Sequence, residues 1–176
     1  RKSTRLLKMS QSACAETRSH LPISNMEIRS VAGGYLLQDR NSLPLDGLTT
    51  NVVSKCQPTQ EQLNQLRFAW RTVKHVKSNA IVLAKSSSIV GIGAGQMSRV
   101  DSVFMALHRA GDRAPGAVLA SDAFFPFVDG PQMALEAGVV AIIEPGGSKG
   151  DQEVIDIADR HGAVLVFTGG ERHFRH

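Results

Sequence analysis

From Asn51 onward the chain alternates short apolar runs with amphipathic stretches: NVVSK, AIVLAK, SIVGIGA, AVLAS, VVAIIE and AVLVF are separated by segments with helical spacing. Runs that are apolar at nearly every residue need cover on both faces, so they read as strands of a mostly parallel sheet clothed by helices. The fold class is therefore α/β. The pair AIVLAK and SIVGIGA, split by Ser86 and Ser87, reads as a hairpin within that sheet.

The helical segments carry their own signals. Thr59 is an N-cap with Glu61 in the first turn, and Leu63, Leu66, Ala69, Trp70, Val73 and Val76 form one apolar stripe, predicting a helix from Gln60 to Lys77. Further helices are predicted after Arg99 up to Gly111, over residues 131–137 before Gly138, and over Asp151–His161 before Gly162. Residues 1–50 lack this regularity and read as a connecting arm without its own core. Within it the Gly33–Gly34 pair, set in a strand-like run, suggests a bulge or a close backbone approach.

Charge and cysteine content narrow the function classes. Twenty Lys and Arg against 16 Asp and Glu leave +4, enough to attract anions but too little to announce a nucleic-acid protein. Cys14 and Cys56 form neither a CxxC nor a zinc-ligand set, so a reduced compartment with free thiols is expected. No apolar run approaches the ~18 residues of a membrane span. The chain begins with Arg and has no signal-peptide core, which suggests a piece of something longer.

In an open α/β sheet ligands gather beyond the carboxyl ends of strands, so the loops that follow strands are the places to search. GIGAGQMSR contains part of a dinucleotide fingerprint, but it follows a hairpin and does not complete GxGxxG. It reads either as a packing turn or as the start of a helix whose amides face an anion beside Arg99. DAFFPFVDG sets three phenylalanines between Asp122 and Asp129, as a plug for the sheet edge or as a wall for a flat heterocycle. PGGSKG is a flexible turn or an amide cradle for phosphate or carboxylate, without Walker A spacing. Lys74-His75 reads as a solvated helix face.

The strings RSVAGGYLLQDR, KHVKSNAIVLAK, GIGAGQMSRVDS, SDAFFPFVDG, PGGSKGDQEVIDIAD and VFTGGERHFRH, in this order, resemble the C-terminal part of the bifunctional purine-synthesis family of AICAR transformylase/IMP cyclohydrolases, over residues 28–176. The resemblance implies a cytidine-deaminase-like three-layer subdomain, residues 51–176, preceded by the arm. It implies formyl transfer from 10-formyltetrahydrofolate to AICAR, with the cyclohydrolase and the first half of the transformylase domain lying outside this chain. The family's Lys-His pair, in a KHxxPxG context, is expected upstream, so no catalytic residue is expected here and the isolated piece is expected to be inactive.

Residue by residue, the resemblance implies AICAR binding by Asn79, Arg99, Phe124 and Arg172, and folate binding by Val100, Asp129, Ser148 and Lys149. Ser78 and Asp122 match parts of a monovalent-cation site, a potassium ion by the family's pattern, and no zinc is expected. Val128 stands where the family usually has Arg, and TGGERHF replaces the usual TGMRHF. The family resemblance further implies a homodimer and a cytoplasmic enzyme, plastidic in a plant, with neither nucleic acid nor membrane as partner. The alternatives are a non-catalytic nucleotide- or folate-binding module and an assembly protein using the basic N-terminal arm and the sheet edge.

Overall fold

The computed structural model describes residues 26–39 and 50–169, which belong to two units, Arg1–Ser42 and Leu43–His176. In the first, β1 (Met26–Val31) and β2 (Gly34–Asp39) form an antiparallel hairpin in which Val31 lies opposite Gly34. The glycine pair is thus a turn in a regular ladder, which corrects the expectation of a bulge or close approach. A Cβ at either glycine would meet nothing within 4 Å, so it is the φ of +83° at Gly33 that selects glycine there.

In the second unit six strands lie in the order β3-β8-β7-β6-β4-β5: β3 (Asn51–Val52), β4 (Ile81–Lys85), β5 (Ser88–Gly93), β6 (Val118–Ser121), β7 (Ala141–Glu144) and β8 (Val164–Phe167). β6, β7 and β8 pair in parallel, whereas β4 runs antiparallel to both β6 and β5, and β3 runs antiparallel to β8. β5 therefore points the same way as β6, β7 and β8, giving four of the six strands one direction. The β4–β5 hairpin turns at Ser86 and Ser87, with φ of +48° and +59°.

Four α-helices are described: α1 (Gln60–Val73), α2 (Arg99–Ala110), α3 (Asp129–Glu136) and α4 (Asp151–Arg160). Thr59 caps α1 in a full capping box with Gln62. The helix stops at Val73 rather than Lys77, because the backbone tightens into turns with His75 N–H on Thr72 O and Val76 N–H on Val73 O, each 3.0 Å. α3 begins at Asp129, two residues before the expected start, since Pro131 in the first turn lacks only an N–H that has no helical acceptor there.

The apolar residues of the sheet divide by parity into two cores. Ile81, Leu83, Leu119, Ile142 and Leu165 pack with Val103 and Ala106 of α2, Ala134 and Leu135 of α3, and Val154, Ile157 and Ala158 of α4. Val82, Ala84, Val118, Ala120, Ala141, Ile143, Val164 and Val166 pack with Leu66, Ala69, Trp70 and Val73 of α1. This is the three-layer arrangement, and each buried Val, Leu or Ile in it contributes roughly 1.5–3 kcal/mol on burial. Two of the three glycines of GIGAG have a packing reason. A Cβ at Gly93 would lie 1.8 Å from Ser102 O and one at Gly91 2.1 Å from Ala106 O, so their absence lets β5 lie directly on α2.

Candidate functional site

Because β4 is reversed, the segment before it lies at the same edge as the segments after β5, β6, β7 and β8. Residues 78–80, 94–98, 122–128 and 145–150 therefore share the carboxyl edge of the parallel strands. Hydrogen bonds lace the first two: Gly95 N–H donates to Lys77 O at 2.9 Å, and Asn79 Nδ2 to Gln96 O at 3.0 Å. Asp122 N–H donates to Ala80 O at 3.2 Å while Ala80 N–H donates to Asp122 Oδ1 at 3.1 Å, which closes the end of the β4–β6 ladder. The Ser78–Asn79 peptide bond is cis.

At the centre is Arg99, the first residue of α2. Its Nη1 donates to Ser121 Oγ at 2.9 Å and forms an ion pair with Asp122 Oδ1, and its Nη2 donates to Asn79 Oδ1 at 3.1 Å. The Asp122 side chain is fully buried and that of Arg99 is 9% exposed. Ser78 Oγ donates to the other Asp122 oxygen, and Ser102 Oγ donates to Asn79 O at 2.9 Å. A buried carboxylate of this kind is held by its guanidinium partner, and removing either member alone costs roughly 3–5 kcal/mol. The cluster fixes the Asn79 amide from two sides: these two contacts use one of its donors and one of its acceptor lone pairs.

The structure thus brings together Ser78, Asn79, Arg99 and Asp122, and adds Gln96, Ser102 and Ser121, which the sequence reading did not single out. Ser78 Oγ and Asp122 Oδ2 are hard oxygen donors side by side, the chemistry a monovalent cation takes. Arg99 already neutralises Asp122 from the Oδ1 side, and the described residues hold no cluster of three or more His, Cys, Asp or Glu side chains suited to a metal.

The remaining described site residues stand on the adjoining turn of α2 and on the segments that follow β6 and β7. Val100 is half-buried in the first turn of α2, and Phe124 is half-buried in the 122–128 loop. Asp129 is exposed at the start of α3, with Oδ1 accepting from Gly130 N–H at 2.8 Å. Ser148 is half-buried and Lys149 exposed. Their loop touches the phenylalanine loop, for a Cβ at Gly150 would lie 3.1 Å from Pro126 O. Arg172 lies outside the described residues. Phe125 is buried in the core while Phe127 is 69% exposed, so DAFFPF is partly plug and partly rim.

Two expected anion cradles are already occupied. The Asp151 carboxylate takes Gly147 N–H at 2.7 Å and Ser148 N–H at 2.9 Å, filling the PGGSKG turn with the chain's own anion. At α2, Ser98 Oγ accepts from Asp101 N–H at 3.2 Å, and Arg99 Nη1 turns inward to pair with Asp122. Neither helix start presents the open anion site that its sequence suggested.

The largest departure from the sequence reading is Glu144, the last residue of β7, whose side chain is fully buried. Its Oε2 accepts from Phe125 N–H at 2.8 Å, and Oε1 has no hydrogen-bond partner among the described residues. Desolvation raises its carboxyl from 4.5 to about 8; the Phe125 N–H pulls it down, Asp151 adds to the rise and Arg99 opposes it. The available signal was an acid closing an otherwise apolar strand, VVAIIE, directly before a Pro-Gly-Gly turn.

Comparison with known proteins supplies the family. The model of the AICARFT/IMPCHase bienzyme matches residues 1–109. The bifunctional purine biosynthesis protein PurH of Desulfitobacterium hafniense is 51% identical over 176 residues, all of this chain and 33% of that protein. PurH of Anoxybacillus flavithermus is 55% identical over 147 residues, 84% of this chain and 29% of that protein. The chain spans about a third of the length of these curated relatives. Acinetobacter baumannii RibD, form 1, aligns at a TM-score of 0.44 with 16% identity, over 58% of this chain and 35% of that one, too distant a likeness to build on. The family match takes in the front of this chain, and the C-terminal placement expected from the sequence strings gains no support from it. No helix among the described residues is long and apolar enough to cross a membrane. With a family model covering residues 1–109 and relatives about half identical, the chain belongs to the AICARFT/IMPCHase bienzyme family.

Proposed function

We propose that this chain supplies the substrate-binding part of a formyl-transfer site, moving the formyl group of 10-formyltetrahydrofolate to the amine of AICAR. The observation that carries the reading is the buried cluster of Arg99, Asp122, Asn79 and Ser78 at the sheet edge, a fixed polar platform beside the phenylalanine loop. Asn79 and Arg99 hold the nucleotide, Phe124 lines its flat base, and Arg172 adds a further contact. Val100, Asp129, Ser148 and Lys149 hold the folate, with the exposed Asp129 carboxylate accepting hydrogen bonds from the pterin. Ser78 and Asp122 would hold a potassium ion through their side-chain oxygens, and it would supply local positive charge there.

In the reaction a bond forms between the AICAR amine nitrogen and the formyl carbon. The bond from that carbon to the folate nitrogen breaks, and the amine proton ends on that nitrogen. Holding a weak nucleophile against the carbonyl contributes up to roughly 7–11 kcal/mol through orientation. The acid-base pair comes from the rest of the longer protein, which also carries IMP cyclohydrolase, and a homodimer completes the site. Calorimetry on the full-length protein tests the binding roles. Asn79→Ala should remove the heat of AICAR binding and spare that of a folate analogue, and Asp129→Ala should do the reverse. No heat from either ligand with the unmodified protein overturns the reading, and also the alternative of a non-catalytic binding module.

A further inference from the structure

Glu144 joins three of the loops at the sheet edge. Its side chain holds the 122–128 loop through Phe125 N–H at 2.8 Å, its carbonyl accepts from Thr168 N–H at 3.0 Å, and it leads directly into the 145–150 turn. The charged groups that act on it are Asp151 from α4 and Arg99 from α2. Both are already engaged, Asp151 with the amides of Gly147 and Ser148 and Arg99 with Asp122. One carboxyl oxygen therefore has a donor and the other has none. A neutral carboxylic acid tolerates that arrangement; a buried carboxylate with a bare oxygen does not, and must draw in water or swing out. Either movement takes the acceptor away from Phe125 N–H.

We propose that Glu144 is a positioning residue which, as a neutral acid, pins the 122–128 loop through Phe125 N–H, and whose ionisation releases that loop and weakens ligand binding by Phe124 and Asp129. The role in ligand binding rests on the formyl-transfer reading; the pinning of the loop does not. With half-titration at about pH 8, the pinned form falls to roughly one part in eleven at pH 9, so an affinity that requires it drops about tenfold between pH 7 and pH 9.

Hydrogen exchange at the Phe125 amide of the full-length protein tests the pinning directly. After correction for the intrinsic pH dependence of exchange, protection at Phe125 should fall about tenfold from pH 7 to pH 9 in the unmodified protein. Glu144→Gln, which keeps an acceptor for Phe125 and cannot ionise, should hold its protection constant, and its KM for the folate should not rise with pH as that of the unmodified protein does. Glu144→Leu should lose protection at both pH values; if it fails to fold, the comparison with Gln still decides. Equal pH dependence in the unmodified and Gln proteins overturns the proposal. Titrating protection in a protein that transfers no formyl group sinks the functional reading and leaves the pinning standing; formyl transfer with protection that does not titrate does the opposite.

Discussion

Replacing Glu144 by Gln should raise stability relative to the unmodified protein by an amount that grows as pH rises. The folded state holds this carboxyl at about 8, against 4.5 for the free group. Between those values the folded chain binds a proton that the unfolded chain has released, so stability is full below about pH 4.5, falls as pH rises, and levels off above about pH 8. One proton corresponds to about 1.4 kcal/mol per pH unit, which amounts to a loss of about 3 kcal/mol between pH 5 and pH 7.5. Gln fills the same space, keeps an oxygen for Phe125 N–H and carries no charge to bury. Urea unfolding of both proteins at pH 5, 6, 7 and 7.5 gives the comparison, and the gap between them should widen by about 3 kcal/mol over that range. Parallel stability curves would refute the reasoning, because they would mean that Glu144 titrates in the folded state as it does in water.

Other consequences follow from the close contacts of the second unit. Gly93→Ala places a methyl 1.8 Å from Ser102 O, and the backbone shift it forces should cost about 3 kcal/mol or more in thermal unfolding; an unchanged midpoint would contradict the packing of β5 on α2. Arg99→Ala leaves Asp122 buried without its cation and should destabilise by roughly 3–5 kcal/mol in urea unfolding, with Asp122→Asn partly restoring the double variant. Ser87→Gly relieves a φ of +59° in the β4–β5 turn and should stabilise by about 1 kcal/mol, read as a raised melting midpoint.

The parts of the fold that repeat locally were legible. The apolar strands marked β6, β7 and β8, because residues buried on both faces leave few positions for polar side chains. Thr59 with the stripe from Leu66 to Val73 marked α1, because cap and periodicity are written within a few residues. What stayed hidden depends on partners far apart in the chain. The reversal of β4 brings Ser78 and Asn79, which precede a strand, to the edge where loops follow strands, and a search confined to strand ends passes over them. Only family resemblance had pointed to those two residues. The filling of the PGGSKG amides by Asp151 had a local trace, an acid in the first turn, but its position in the cradle is set by the Gly146 and Gly147 turn geometry. Glu144 hid in an apolar run, since its partner Phe125 is 19 residues away.

The most direct test of the account is formyl transfer by the full-length protein, followed as the conversion of 10-formyltetrahydrofolate in the presence of AICAR. The account predicts turnover that depends on both compounds, and a fall of roughly tenfold or more in kcat/KM for Asn79→Ala and for Asp129→Ala, since each misplaces one of the two reactants. A full-length protein that leaves the formyl group on the folate, or that transfers it equally well with both substitutions, contradicts it.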